Sequence, residues 1–313
     1  MQTGLAIARA YYEEYGKPML HAQFPELEPL IAVGLTGSGS ECFGYDDEVS
    51  RDHDFEPGFC LFLPGEDVID RKKAFALERA YAKLPKEYAG LKRSLMGPVG
   101  GARRGVLRTA EFFSEKCGSP DGILTISQWL KTPSFLLAEM VNGEIFRDDL
   151  GEVTAIRERL AVYPSDIRRK KLAGHLLTMA QAGQYNYRRC LSHGETGAAQ
   201  LSVFRFVTNA LSAAFLLNQV YEPYYKWSFR ALRALPLLSE IADPLESLLT
   251  TDNEDDIAED KSCVIEDLAL RFIDVLIDQD LTRAVCGDLE KHAYSVNDGI
   301  EDGGIRNLPL TSD

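Results

Sequence analysis

Residues 34–64, GLTGSGSECFGYDDEVSRDHDFEPGFCLFLP, decide how this chain is read. Small and apolar residues from Ile31 to Leu35 predict a strand that breaks into a Gly/Ser turn, Gly37-Ser38-Gly39-Ser40. A polar excursion ends on Ser50-Arg51-Asp52-His53-Asp54-Phe55, and the apolar run Phe59 to Leu63 follows. The pattern predicts strand, glycine turn, short helix, loop and strand.

The spacing carries chemistry. In an extended segment Asp52 and Asp54 project to the same side, roughly 6.6–7 Å apart at Cα, and His53 points to the other. Paired Mg²⁺ ions in phosphoryl-transfer sites sit about 3.5–4 Å apart, so two such carboxylates can share one ion and reach a second. Upstream, glycines let backbone N–H groups approach a phosphate with no side chain in the way. Ser38 and Ser40 add hydroxyls, and a helix beginning near Glu41 would turn its positive end to the anion.

Gly39-Ser40, Gly44 four residues after the serine, and Asp52-His53-Asp54 after the intervening residues 41–51 together resemble the signature of polymerase-beta-like nucleotidyltransferases. Gly37-Ser38 fits the same pattern with a longer spacer, but Gly39-Ser40 leaves Gly44 in register. Arg51 departs from the family, which commonly has serine directly before the first aspartate. The YNYRRC segment (185–190) and the LLNQVYEPYYKW segment (216–227) extend a resemblance to bacterial proteins of the DUF4037 type. The resemblance implies an enzyme that moves a nucleoside monophosphate from an NTP, with ATP the first choice, to a hydroxyl on a small molecule. Pyrophosphate leaves as that hydroxyl attacks the α-phosphorus in line. One or two Mg²⁺ ions would be held by Asp52 and Asp54, the catalytic pair, while Gly39, Ser40 and Ser38 cradle the phosphates. Two other readings stay open: a catalytically silent nucleotide-binding regulator, and a toxin–antitoxin-like enzyme that nucleotidylates a protein or RNA end.

Nucleotidyl transfer commonly uses a third carboxylate as base or metal ligand. Glu111, expected at the end of a strand over Val106–Thr109, is the first choice, with Glu139 and Asp148 as rivals. Helical accessory domains of antibiotic-type nucleotidyltransferases often supply a lysine to the transferred phosphate, and Lys226, among aromatic residues at a helix break, is the matching candidate. Its alternative is a lysine lying over packed rings. The basic loop 96–105 either moves freely or brings Arg103 or Arg104 to a triphosphate.

Bulk properties narrow the class. At 313 residues with 45% hydrophobic and 26% charged content, the chain has the makeup of a globular protein large enough for two domains. A formal charge of −14 disfavours a long nucleic acid as substrate, because the phosphate backbone is repelled. A small-molecule or protein acceptor fits better. Six cysteines lack C-x-x-C spacing, which suits reduced thiols and a cytoplasmic setting. The N-terminus lacks the pattern of a signal peptide, and no membrane partner is expected. Walker, Rossmann and G-x-S-x-G motifs do not occur.

The expected fold is α+β. A nucleotidyltransferase-type mixed sheet with helices over 1–152 ends in Gly143 to Gly151, which resembles the segment that closes such domains. A helical bundle over 153–295 and a loosely ordered tail over 296–313 complete the expectation. Asp67 is the expected cap of a helix over 67–83, and the acidic run 252–260 is expected to be a linker.

Overall fold

Ala32–Leu35 (β1) and Cys60–Leu63 (β2) contain only apolar residues and glycine, and every one of them is buried. Such runs suit strands covered on both faces. The computed structural model describes residues 2–47, 56–93 and 104–311. β2 pairs antiparallel with β1, placing Ala32 opposite Phe62 and Gly34 opposite Cys60. Gly105–Arg108 (β3) adds parallel to β2, and Glu144–Arg147 (β4) adds antiparallel to β1. The sheet order is therefore β3-β2-β1-β4, mixed in direction, and the fold is α+β as expected. A separate ribbon joins Glu87–Tyr88 to Leu91–Lys92.

Strand alternation divides the core. Val33, Leu61 and Leu63 face a cluster with Tyr11, Tyr12, Leu20, Leu77 and Tyr81, drawn from the N-terminal helical segments and from the helix Arg71–Ala82. The Tyr81 hydroxyl locks that helix to the strand entrance: it donates to the Phe59 carbonyl at 2.8 Å and accepts from the Phe59 N–H at 3.0 Å. Phe62 points the other way and meets Phe112, on the helix Thr109–Cys117, edge-on at 5.3 Å. The helix Arg71–Ala82 is capped by Asp70, which accepts from the Lys73 N–H at 2.9 Å; Asp67 lies one turn too early for that role.

Gly143 decides whether β4 can join β1. It adopts φ +63°, and a Cβ there would lie 2.0 Å from the Leu35 carbonyl oxygen. Only a residue without a side chain permits that crossing.

The chain divides into two compact units, Met1–Ala161 and Val162–Asp313. In the second, the helix Ser165–Met179 continues π-helically through Ala180–Tyr187 and packs on Thr196–Leu217. Thr196–Leu217 is the one described helix long and apolar enough to cross a membrane, and 56% of its apolar window is buried inside the protein. The acidic run 252–260 is not a linker throughout. From Asp255 it forms the start of the helix Asp255–Asp278, where negative charge complements the helix dipole. The segment after residue 296 is tied down through Leu308. Lys170 Nζ donates to Asn297 Oδ1 and to the Arg306 and Leu308 carbonyls, and the Asp166 carboxylate accepts from the N–H groups of Glu301 and Asp302.

Between Ser165–Met179 and Thr196–Leu217, His175 Nδ1 lies 2.8 Å from Asn209 Oδ1. Asn209 Nδ2 donates to the Arg205 carbonyl, which turns the amide oxygen toward the ring. Burial lowers the His175 pKa to about 4, with Lys171 pushing the same way and Asn209 opposing. The unfolded chain, titrating near ~6.5, thus binds the proton that the folded unit refuses. Stability is full above pH ~6.5 and falls as the pH drops toward 4, by up to ~3 kcal/mol from this ring. Urea titrations across that window should show the loss, and His175→Gln should flatten it.

Candidate functional site

β1 runs out at Leu35 into the Gly37–Ser40 turn, which one helical turn, Ser40–Phe43, and a left-handed Gly44 close off. The turn is held by the side chain of Asn142. Its Oδ1 accepts from the Gly37 N–H at 3.0 Å, and its Nδ2 donates to the Gly37 carbonyl at 2.8 Å. The Thr36 hydroxyl lies 3.0 Å from the same Oδ1 and 2.9 Å from the Glu139 carbonyl oxygen. The neighbouring Gly143 N–H donates to the Cys42 carbonyl at 2.8 Å. Gly37 is therefore saturated on both backbone groups. The backbone N–H groups of Ser38, Gly39 and Ser40, and both serine hydroxyls, have no acceptor among the described residues. Three successive backbone donors in a half-buried glycine turn are the kind of group that binds an anion.

Charge around the turn has the matching sign. Arg157, on the helix Glu152–Arg159, donates to Thr36 Oγ1 at 3.0 Å and to the Met140 and Val141 carbonyls at 3.2 and 2.9 Å. These are last-turn carbonyls of the helix Ser134–Val141, where a cation is favoured. No carboxylate pairs with Arg157 among the described residues. Burial lowers its pKa, but an arginine keeps its charge. The two acids nearby are already neutralised: Glu41 pairs with Arg104 at 2.7 Å, and Glu139 pairs with Lys116. Burial raises the Cys60 thiol to about 12 and Cys42 well above its ordinary value, so neither is a thiolate near pH 7. Cys42, Cys60 and Cys117 are the buried cysteines, whereas Cys263 and Cys286 are exposed.

The expected site residues fall in different places. Ser38, Gly39 and Ser40 share the turn. Asp52 and Asp54 lie outside the described residues, as does Arg103. Glu111 is exposed on the first turn of the helix after β3. Because β3 runs parallel to β2 while β1 runs antiparallel to it, that helix starts at the Leu63 end of the sheet. There Thr109 donates to the Leu63 carbonyl, and Glu111 adds slightly to the support that Glu66 gives Arg71. The glycine turn lies at the opposite end, so Glu111 and the turn are not brought together. Asp148 is also at the far end, where it accepts from the Thr154 N–H and hydroxyl. Of the three candidates, only Glu139 reaches the glycine end, and Lys116 occupies its carboxylate. Lys226 is exposed on the helix Tyr225–Leu232 of the second unit, its Nζ 4.9 Å from the Trp227 ring centroid.

Among the described residues no three metal-ligating side chains converge. Sequence reading missed Asn142, Arg157 and Glu41. The Asn142-Gly143 dipeptide announced a turn but not its distant partner.

Residues 129–228 match the family model described as a domain of unknown function, DUF4037, and the resemblance read from the sequence is borne out over that stretch. The match takes in Glu139, Asn142, Arg157 and Lys226 and stops short of the glycine turn. Among solved structures, a nucleotidyltransferase-like protein from Exiguobacterium sibiricum 255-15 is similar at a TM-score of 0.39 and 11% identity. That alignment covers 92% of this chain and 81% of the other. No curated protein matches.

Replacing Asn142 with alanine removes the acceptor of the Gly37 N–H and the donor to its carbonyl. The expected loss is about 2–3 kcal/mol, read from urea denaturation, with Asn142→Asp recovering only the acceptor half.

Proposed function

We propose that the chain is a nucleotidyltransferase that takes a nucleoside triphosphate at the Gly37–Ser40 turn and passes its nucleoside monophosphate to an acceptor hydroxyl, releasing pyrophosphate. The observation that carries this reading is the row of N–H donors at Ser38, Gly39 and Ser40, with Arg157 behind Thr36. The D-x-D pair at Asp52 and Asp54, after the spacer 41–51, supplies carboxylates in the sequence position the chemistry needs.

The chain's own residues act mainly by positioning and by charge. Asn142 fixes the Gly37 end of the turn from which the next three N–H groups follow. Arg157 places a positive charge beside Thr36, the residue before that turn. Asp52 and Asp54 would hold Mg²⁺, which when bound offsets the charge of the polyphosphate. Glu139 is the described acid best placed to assist, provided Lys116 releases it. ATP is the first nucleotide to test, and small hydroxyl-bearing molecules are the first acceptors.

The experiment is release of labelled pyrophosphate from NTP and Mg²⁺ with a broad acceptor panel. Replacing Asp52 and Asp54 together with asparagine should lower release by at least ~100-fold. Glu111→Gln should leave it within about twofold, because that acid sits at the other end of the sheet. Unchanged turnover in the double variant would overturn the reading.

A further inference from the structure

We propose that Arg104 is an anion-binding residue of the glycine turn, its Nε–H available to a phosphate oxygen, and that Glu41 sets its position. This deepens the nucleotide reading above and rests on it for the identity of the natural ligand.

Both side chains are almost wholly buried, Arg104 at 9% exposure and Glu41 at 6%. They are joined by one contact, Arg104 Nη2 donating to Glu41 Oε1 at 2.7 Å. A planar guanidinium beside a carboxylate normally offers two parallel bonds. Here Nε is buried with no partner among the described residues. A buried charged donor left unfilled is costly, and nothing else in the pair explains its retention. Arg157 shows the contrast, since it donates to Thr36 Oγ1 and to the Met140 and Val141 carbonyls.

Location makes the donor useful. The Glu41 carboxyl oxygens lie 2.6 and 2.7 Å from where a Cβ on Gly39 would stand, so the carboxylate presses directly on the turn. Through Glu41 the guanidinium is fixed one side chain away from the N–H groups of Ser38, Gly39 and Ser40, which have no acceptor among the described residues. From the other side it is held by the backbone. Its Cδ lies 2.8 Å from the Cβ position of Gly58, and the following Gly105 N–H donates to the Phe59 carbonyl at 2.9 Å. A bound polyphosphate would supply the missing acceptor. Glu41 would then serve as the counter-charge that keeps the arginine ordered before binding.

The test uses the full chain, ¹⁵N-labelled, and inorganic tripolyphosphate. The Arg104 Nε–H resonance is identified by its absence from Arg104→Lys. Tripolyphosphate should move that resonance in the parent protein, and Arg104→Lys should bind it at least tenfold more weakly. Glu41→Gln keeps an amide oxygen to accept from Arg104 Nη2 and removes the negative charge beside the turn, so it should bind it two- to fivefold more tightly. A pair with only a structural role predicts that both variants weaken binding together. The proposal is overturned if the resonance does not move, if Arg104→Lys binds as the parent does, or if both variants lose affinity alike. Tripolyphosphate binding through Arg104 without pyrophosphate release from any NTP would defeat the transferase reading and leave this one standing. Full turnover in Arg104→Lys would do the reverse.

Discussion

One primary amide ties the first unit together. Asn142 meets both backbone groups of Gly37, 105 residues earlier in the chain, and Gly143 beside it passes under the Leu35 carbonyl. The pairing of β4 with β1 and the shape of the turn are therefore one event. The turn takes its form only when β4 docks, and β4 docks only where a residue lacks a side chain. Among the described residues the donors at Ser38, Gly39 and Ser40 are left over because Gly37 alone is claimed by this clasp. A loop whose conformation is set from outside loses little entropy when a ligand arrives, which is what preorganisation requires.

Charge follows the same logic. An acidic chain keeps its glycine turn from being acidic by pairing Glu41 with Arg104 and Glu139 with Lys116. Arg157 is then set against neutral oxygens, and among the described residues no carboxylate cancels its charge. Such local arrangement matters more to a bound anion than net charge, because buried pairs are screened little by salt.

What could be read in advance was local. The run Ile31–Leu35, the glycines after it and the run Phe59–Leu63 specify strand, turn and strand within thirty or so residues, and the structure has them there. That Glu111 lies away from the turn was not legible, because a strand near it can be recognised without knowing its direction. Once β3 runs parallel to β2, the residue that follows it is carried away from the turn. Asn142 and Arg157 stayed hidden because their partners are distant in sequence, and nothing in a dipeptide names them. The run 252–260 looked like a solvated spacer by composition. Acids at a helix start look the same in sequence and differ only in what the backbone does next.

Lys170 in the second unit has a consequence for how the molecule is made. Its ammonium is surrounded by acceptors from Asn297, Arg306 and Leu308, more than a hundred residues downstream. During synthesis on the ribosome the helix Ser165–Met179 emerges long before those oxygens exist, so this buried cation has to stay hydrated in the interim. The helical unit therefore closes over this cation only once residues 297–308 are in place.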